Sequence, residues 1–476
     1  MLALSQTKWQ TESMSTAPSV QYSITMRLEA PAKPTTVSEL TSVIEASGGS
    51  VTALDVNHSD AERVRVDLTC ATRNSEHGEQ IVEQLRAIEG VTIGKVSDRT
   101  FLAHLGGKLT IESKLPIRNR DDLSLIYTPG VARICEAIVK DPSDARRLTI
   151  KRNTIAVVTD GSAVLGLGNI GPLAAMPVME GKAALFKRFA EIDAFPICLD
   201  TQDVDEIVRT VKAISPGFAG INLEDISAPR CFEIEARLRA ELDIPVFHDD
   251  QHGTAIVCVA ALRNALKVVG KEIEDVTLVM SGAGAAGTAV LKLLMAAGLK
   301  HAVVADQRGV VYAGREDIEA GTSLEWIADN TNEKGLTGTL KQAIRGADVF
   351  IGVSAANILD ANDIATMASG SIVFALANPN PEIEPSEAAK FASVVATGRS
   401  DFPNQINNVL AFPGFFRGLL DAGAHKITEK MLLAAANALA NCVESSELNA
   451  SYIVPSVFHP DVASKVADAV RKAARK

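Results

Sequence analysis

Apolar residues recur along this chain with different periods, and the change of period divides it. From residue 22, YSITMRLEA alternates apolar and polar positions as a half-buried strand does. PTTVSELTSVIEASGG then spaces its apolar residues as a helix that Gly48 and Gly49 end, and VTALDVNH and RVRVDLTCAT return to strand alternation. GEQIVEQLRAIEG predicts a second helix and VTIGKVSD a last strand. Beyond about residue 100 the predicted strands become near-continuous apolar runs separated by helices, the signature of a parallel sheet covered on both faces. They run TIAVVTD, FPICLD, GINLED, IPVFHDD, VTLVMSG, HAVVADQ, DVFIGVS, SIVFALANP and SVVATG. Several end in Asp, Asn or Gly, and the ligand crevice of an open α/β sheet lies outside the carboxyl ends of its strands.

The first set, strand-helix-strand-strand-helix-strand, is the ferredoxin-like order and resembles the small ACT regulatory domain. A small effector bound there and an oligomerisation module without a ligand are both open readings. The chain therefore divides into a loose, Ser- and Thr-rich segment at 1–19 and an ACT-like α+β domain at 20–98. An α/β catalytic domain follows at 99–265, a Rossmann-type doubly wound dinucleotide domain at 266–426, and a helical tail at 427–476 that covers the outer faces.

Composition narrows the function. A chain of 476 residues that is 47% hydrophobic exceeds one typical core, so two or three domains are expected. A net charge of -11 argues against a sequence-independent grip on nucleic acid or anionic lipid. Six scattered cysteines without CxxC spacing read as reduced core residues of a cytoplasmic protein. The N-terminus has neither a long apolar core nor a cleavage pattern, and no apolar run reaches about eighteen residues, so no membrane span is expected.

Two stretches match GxGxxG, GLGNIG at 166–171 and GAGAAG at 282–287. The second follows VTLVM directly, opens the helix GTAVLKLLMAAG and precedes a strand ending in Asp306, 24 residues after Gly282. Gly282 and Gly284 then make a tight turn under the pyrophosphate, Gly287 allows close packing, and Asp306 meets the ribose hydroxyls. Asp306 favours NAD by repelling a 2'-phosphate, while Arg308 stands where it can partner one, so NADP stays open. GLGNIG lacks such a partner strand and reads as a tight turn beside the substrate, with Pro172 starting the next segment.

FHDDQHGTA, residues 247–255, sets two carboxylates and two histidines where a buried strand passes into a buried helix. Unpaired, such charges cost several kcal/mol, so a cation, a basic side chain or water must compensate them. GINLEDI presents Glu224 and Asp225 at the end of a neighbouring strand, and with Asp249 and Asp250 up to four carboxylates meet in one crevice. A hard dication, Mg2+ or Mn2+, relieves their repulsion and keeps positions for substrate oxygens. His248 and His252 are expected to be structural or to support the metal's ligands from behind, because neither cysteines nor HExxH spacing supports zinc.

With these residues placed, the sequence closely resembles the malic enzymes of the smaller bacterial type over about residues 103–460. The resemblance rests on SLIYTPGVA, VVTDGSAVLGLGNIGPLAAMPVMEGKAALF, NLEDISAP, FHDDQHGTA, SGAGAAG, ANPNPEI and NQINNVLAFPG. It implies oxidative decarboxylation of L-malate to pyruvate and CO2, with NAD or NADP and a divalent metal, in a homo-oligomer. It implies metal ligands at Glu224, Asp225 and Asp250, a general acid at Tyr127, a general base at Lys182, and Asp249 as the carboxylate holding that lysine. Asn378 and Asn408 match positions that contact substrate or the nicotinamide ribose. TDGSA lacks the arginine that larger members carry after TDG. A neutral Lys182 requires the metal charge and desolvation to lower its pKa from about 10.4, against the pull of Asp249. Two rival readings are a malolactic decarboxylase and an ACT-type ligand sensor with a degenerate dehydrogenase portion.

Overall fold

The computed structural model describes residues 18–164 and 166–475. The loose segment expected at 1–19 lies, except for its last two residues, outside the described residues. Two compact units divide the chain, Met1–Lys108 and Leu109–Lys476.

The first unit has the expected order: β1 (Ser19–Pro31), α1 (Thr36–Ala46), β2 (Ser50–Ser59), β3 (Arg63–Thr72), α2 (Ser75–Arg86), β4 (Thr92–Asp98) and a short α3 (Arg99–His104). Its antiparallel sheet runs β2-β3-β1-β4. Alternation along β1 and β3 turns Met26, Leu28, Val66 and Leu68 to one face, where Leu40, Ile44, Ile81 and Leu85 of the two helices bury them. Asn74 starts α2 by accepting the His77 N–H at 2.8 Å.

The second unit opens on an arm, α4 (Arg120–Ile126), α5 (Val131–Lys140) and α6 (Asp144–Leu148), in which no residue from 109 to 153 is buried. There follow β5 (Thr154–Thr159), α7 (Gly171–Ala190), β6 (Asp193–Cys198), α8 (Val204–Ile214), β7 (Gly220–Leu223), α9 (Arg230–Glu241), β8 (Val246–His248) and α10 (Asp249–Val269). These strands form a parallel sheet of order β6-β5-β7-β8, so the chain reverses direction across the sheet between β5 and β7. GLGNIG is the tight turn expected, with Gly166 and Gly168 at φ 74° and 76°, and Pro172 sits in the first turn of α7.

A second sheet follows: β9 (Thr277–Ser281), α11 (Ala285–Ala296), β10 (His301–Asp306), β11 (Gly309–Val310), α12 (Ser323–Asn330), α13 (Leu340–Ala343), β12 (Val349–Gly352), α14 (Ala361–Ala365), β13 (Ile372–Ala375), α15 (Pro385–Ala388) and β14 (Val394–Thr397). Its order β11-β10-β9-β12-β13-β14 is doubly wound, parallel except for the β10–β11 hairpin, and switches direction between β9 and β12. α16 (Phe412–Ala422) follows within the stretch expected to close the dinucleotide domain, and the tail supplies α17 (Glu429–Ala440) and α18 (Val462–Ala474). One apolar core runs from Ile155 and Phe186 through α10 to Met280 and Phe374, which welds the two sheets into one unit. Helix α10 has the length and apolarity of a membrane span, but 67% of that window is buried inside the fold, as for a core helix.

Candidate active site

β7 and β8 run parallel with Leu223 opposite His248, so the acids that follow each strand leave the sheet at one level. Glu224 and Asp225 follow β7, while Asp249 and Asp250 open α10. One oxygen each from Glu224, Asp225 and Asp250 lies within 4.8 Å of the other two. The fourth carboxylate turns elsewhere: Asp249 Oδ2 accepts hydrogen bonds from Lys182 Nζ at 2.5 Å and from Asn408 Nδ2. Lys182 Nζ, reaching in from α7, also stands 2.9 Å from Glu224 Oε1 and 4.2 Å above the Phe412 ring. The crevice of four acids is thus an oxygen triad beside a lysine–carboxylate pair.

Local geometry holds the acids in these positions. Asp225 sits in the left-handed region at φ 53°, and its N–H donates to Asp250 Oδ2 at 2.9 Å. Asn222 Nδ2 donates to Glu224 Oε2 at 2.8 Å. His248 Nε2 lies 3.1 Å from Asp250 Oδ2, its Nδ1 lies 2.6 Å from the Gln251 amide, and that amide also donates to Glu235 Oε2. His252 Nε2 lies 2.6 Å from Glu235 Oε1, so the two histidines brace acids, His248 from directly behind Asp250. On the inner side of α10, a Cβ at Gly253 would stand 2.0 Å from Asp249 Oδ1, so only glycine lets this carboxylate lie against its own helix.

The cluster is electrostatically unfinished. Burial is the largest influence on every acid in it. Burial, then Asp250, pushes the Asp225 carboxyl up to about 7, and burial raises Glu224 and Asp249 against the pull of Lys182. In Asp250, burial is outweighed by the neighbouring His248, which holds that carboxyl below its ordinary value. Burial by itself would lower Lys182, but Asp249 and Glu224 reverse this and hold the ammonium above its ordinary value. The lowered lysine pKa expected from the sequence therefore does not arise from this chain's own groups. Asp225 Oδ2 is buried with no hydrogen-bond partner. Oxygen donors alone, closely spaced and with one left orphaned, fit a hard dication such as Mg2+ or Mn2+.

The dinucleotide turn is also formed. A Cβ at Gly282 would stand 2.7 Å from Val353 O across the switch point, and one at Gly287 would stand 1.9 Å from Gly282 O. Gly284 caps α11 and faces open space, which leaves the helix N-terminus free for a pyrophosphate. Asp306, next to Ala305, which pairs with Ser281, lies beside Gly282, but it is paired with Arg315, which Asp317 holds in turn. Asn378 is exposed just after β13 and its carbonyl approaches Gly166, which joins the rims of the two sheets.

Tyr127 is where the structure departs from the expected constellation. It follows α4 and is 67% exposed, and no hydrogen bond, ion pair or ring contact joins it to the cluster among the described residues. Several residues that shape the site were not read from the sequence. Glu382, fully buried, accepts the N–H groups of Ser354 and Ala377 and so braces the turn carrying Asn378. The ANPNPEI stretch contained that signal. Arg230 meets Asp160 at 3.0 Å, giving TDGSA a cation from α9. Glu235 meets Gln251 and His252 from another helix, and Arg315 meets Asp306 across an irregular loop, so no helix or strand period reveals either.

The model of the malic enzyme N-terminal domain matches residues 106–239, that of the malic enzyme NAD binding domain residues 251–475, and an ACT domain model residues 18–93. The chain is 55% identical over 451 residues to the NAD-dependent malic enzyme of Geobacillus stearothermophilus, covering 95% of this chain and 94% of that one. It is 56% identical over 369 residues to the bifunctional malic/malolactic enzyme of Bacillus subtilis, covering 77% and 90%. Among solved structures, the NAD-dependent malic enzyme of Thermotoga maritima superposes with a TM-score of 0.76 at 48% identity, over 79% of this chain and 99% of that one. The malic enzyme of Pyrococcus horikoshii gives 0.75 at 48%, over 78% and 87%.

Proposed function

We propose a division of labour among these side chains on one premise: the chain belongs to the malic enzyme family, and it oxidatively decarboxylates L-malate to pyruvate and CO2 with reduction of a nicotinamide dinucleotide. The observation that carries the assignment of roles is the convergence of Glu224, Asp225 and Asp250 beside the Lys182–Asp249 pair. Glu224, Asp225 and Asp250 would hold a divalent cation, whose charge would offset their repulsion and polarise the carboxylate and C2 oxygens of malate. With the carboxylates that hold its ammonium offset by the cation's charge at Glu224, Lys182 would be neutral and would accept the C2 hydroxyl proton as the hydride passes to the nicotinamide. Asp249, held in turn by Asn408, fixes the Nζ position for that transfer. Asn378 contacts the substrate or the nicotinamide ribose at the cleft rim, and the GAGAAG turn with Asp306 holds the dinucleotide.

Tyr127 protonates C3 after CO2 departs, and its exposure requires a partner. The arm at 109–153 contributes nothing buried and displays Ile111 at 84%, Leu125 at 76% and Val139 at 81% exposure. An apolar surface of this extent is covered in solution. A second copy of the chain is its occupant, because covering the arm also encloses Tyr127 in a cleft that otherwise lacks its acid. The chain is therefore a homo-oligomer, dimeric or larger. Its six free cysteines suit a cytoplasmic setting, and its ACT-like unit accommodates a small effector.

The direct test is the purified protein with L-malate and Mn2+, followed at the nicotinamide absorbance with NAD and then NADP. Reduction of neither would refute the oxidative reading. The malolactic reading is favoured by the resemblance to a bifunctional relative; lactate formed without net NADH would establish it.

A further inference from the structure

We propose that Arg315 sets the dinucleotide preference of this chain by neutralising Asp306. This rests on GAGAAG being the dinucleotide site. In that fold the acid at the end of the second strand meets the adenosine ribose, and its charge excludes a 2'-phosphate. Here both oxygens of Asp306 are already engaged by one guanidinium: Arg315 Nη1 donates to Oδ1 at 3.1 Å and Nη2 to Oδ2. The arrangement is fixed rather than incidental. The Arg315 side chain is 8% exposed, its Nη1 also reaches the Val310 carbonyl at 3.4 Å, and its Nε lies 2.7 Å from Asp317 Oδ1.

The charges continue outward. Asp317 Oδ2 stands 3.1 Å from Nη1 of Arg308, whose side chain is 63% exposed. Asp306, Arg315, Asp317 and Arg308 alternate in sign and sum to zero, so the rim presents no net negative charge to a 2'-phosphate. Arg308, held by a single ion pair at an exposed position, turns onto such a phosphate at little cost. A strand-end Asp that reads as an NAD selector thus belongs to a site that accepts both dinucleotides.

The test titrates the whole chain with NADH and with NADPH, reading nicotinamide fluorescence, with neither malate nor divalent cation present. Its outcome is then independent of the roles given to Lys182 and Tyr127. The two Kd values are expected to agree within about tenfold, or about 1.4 kcal/mol. Arg315→Met is expected to weaken NADPH at least about tenfold more than NADH. Since Arg315 is buried, Asp317→Asn gives a second measurement: it releases Arg308 and leaves Arg315 to Asp306, so the ratio moves toward NADPH. Wild-type protein that favours NADH by more than tenfold overturns the proposal. So does a ratio unmoved by Arg315→Met or shifted toward NADH by Asp317→Asn. Binding of neither dinucleotide overturns the assignment of the site itself.

Discussion

Lys182 Nζ and Asp249 Oδ2 lie 2.5 Å apart, with the lysine side chain 8% exposed and the aspartate fully enclosed. A buried pair of this kind is weak as a net stabiliser, because both ions lose their hydration, but removing one partner strands the other. Lys182→Ala therefore acts twice. Without a group to receive the hydroxyl proton, kcat is expected to fall by about 10²–10⁴, and the uncompensated Asp249 is expected to cost about 3–5 kcal/mol of stability. Steady-state kinetics and denaturant unfolding read the two effects, and NADH affinity should be unchanged. Turnover at the wild-type rate would remove Lys182 from the chemistry.

The acid triad predicts an unusual pH dependence for the metal-free protein. Burial and Asp250 move the Asp225 carboxyl from its ordinary 3.8 to about 7. Between those values the folded chain retains a proton that the unfolded chain has lost, so this contribution to stability declines as pH rises across that window. Its size is at most about 4 kcal/mol. Protein treated with EDTA is expected to melt lower at pH 8 than at pH 5.5, and Mn2+ to close the gap. Asp225→Asn should shrink the gap and abolish the response to Mn2+; an unaltered Mn2+ response would exclude Asp225 as a ligand.

The alternation along β1 and β3 and the apolar runs ending in NLED and FHDD made the first two of the three sheets legible, because burial on one face or on two leaves different periods in the sequence. The acids were legible for the same reason: equivalent ends of parallel strands must meet. What remained hidden depended on how side chains turn in irregular segments, where no period applies. Arg315 reaches Asp306 across a loop, and Glu382, although it lies within ANPNPEI, braces Asn378 only through the way that turn folds back. The raised pKa of Lys182 was not legible either, since it depends on Asp249 and then Glu224 together outweighing burial.

If a second copy brings Tyr127 into the cleft, two disabled chains can restore each other. Tyr127→Phe and Lys182→Ala, each inactive alone, are expected to recover up to about a quarter of wild-type activity when unfolded together and refolded. One site in such a mixed dimer carries both residues intact, and random assembly forms half of the dimers mixed. Sedimentation should show the assembly in both variants. A mixture no more active than its components would place Tyr127 in its own chain's cleft.

Gly253 offers the most local test of the site, because it separates the position of Asp249 from its charge. A methyl group at residue 253 would stand 2.0 Å from Asp249 Oδ1. The carboxylate cannot withdraw into solvent, being fully buried, and its other oxygen is held by Lys182 and Asn408. Gly253→Ala therefore shifts Asp249 and the lysine with it, although alanine favours the interior of α10 by about 1 kcal/mol. A displacement of this order in a proton-transfer pair is expected to lower kcat by about 10²-fold, with NADH affinity and Mn2+ binding preserved, since neither GAGAAG nor the three ligand acids move. Retained turnover would mean that Asp249 reorients freely, and that the Lys182 position is set by Glu224 instead.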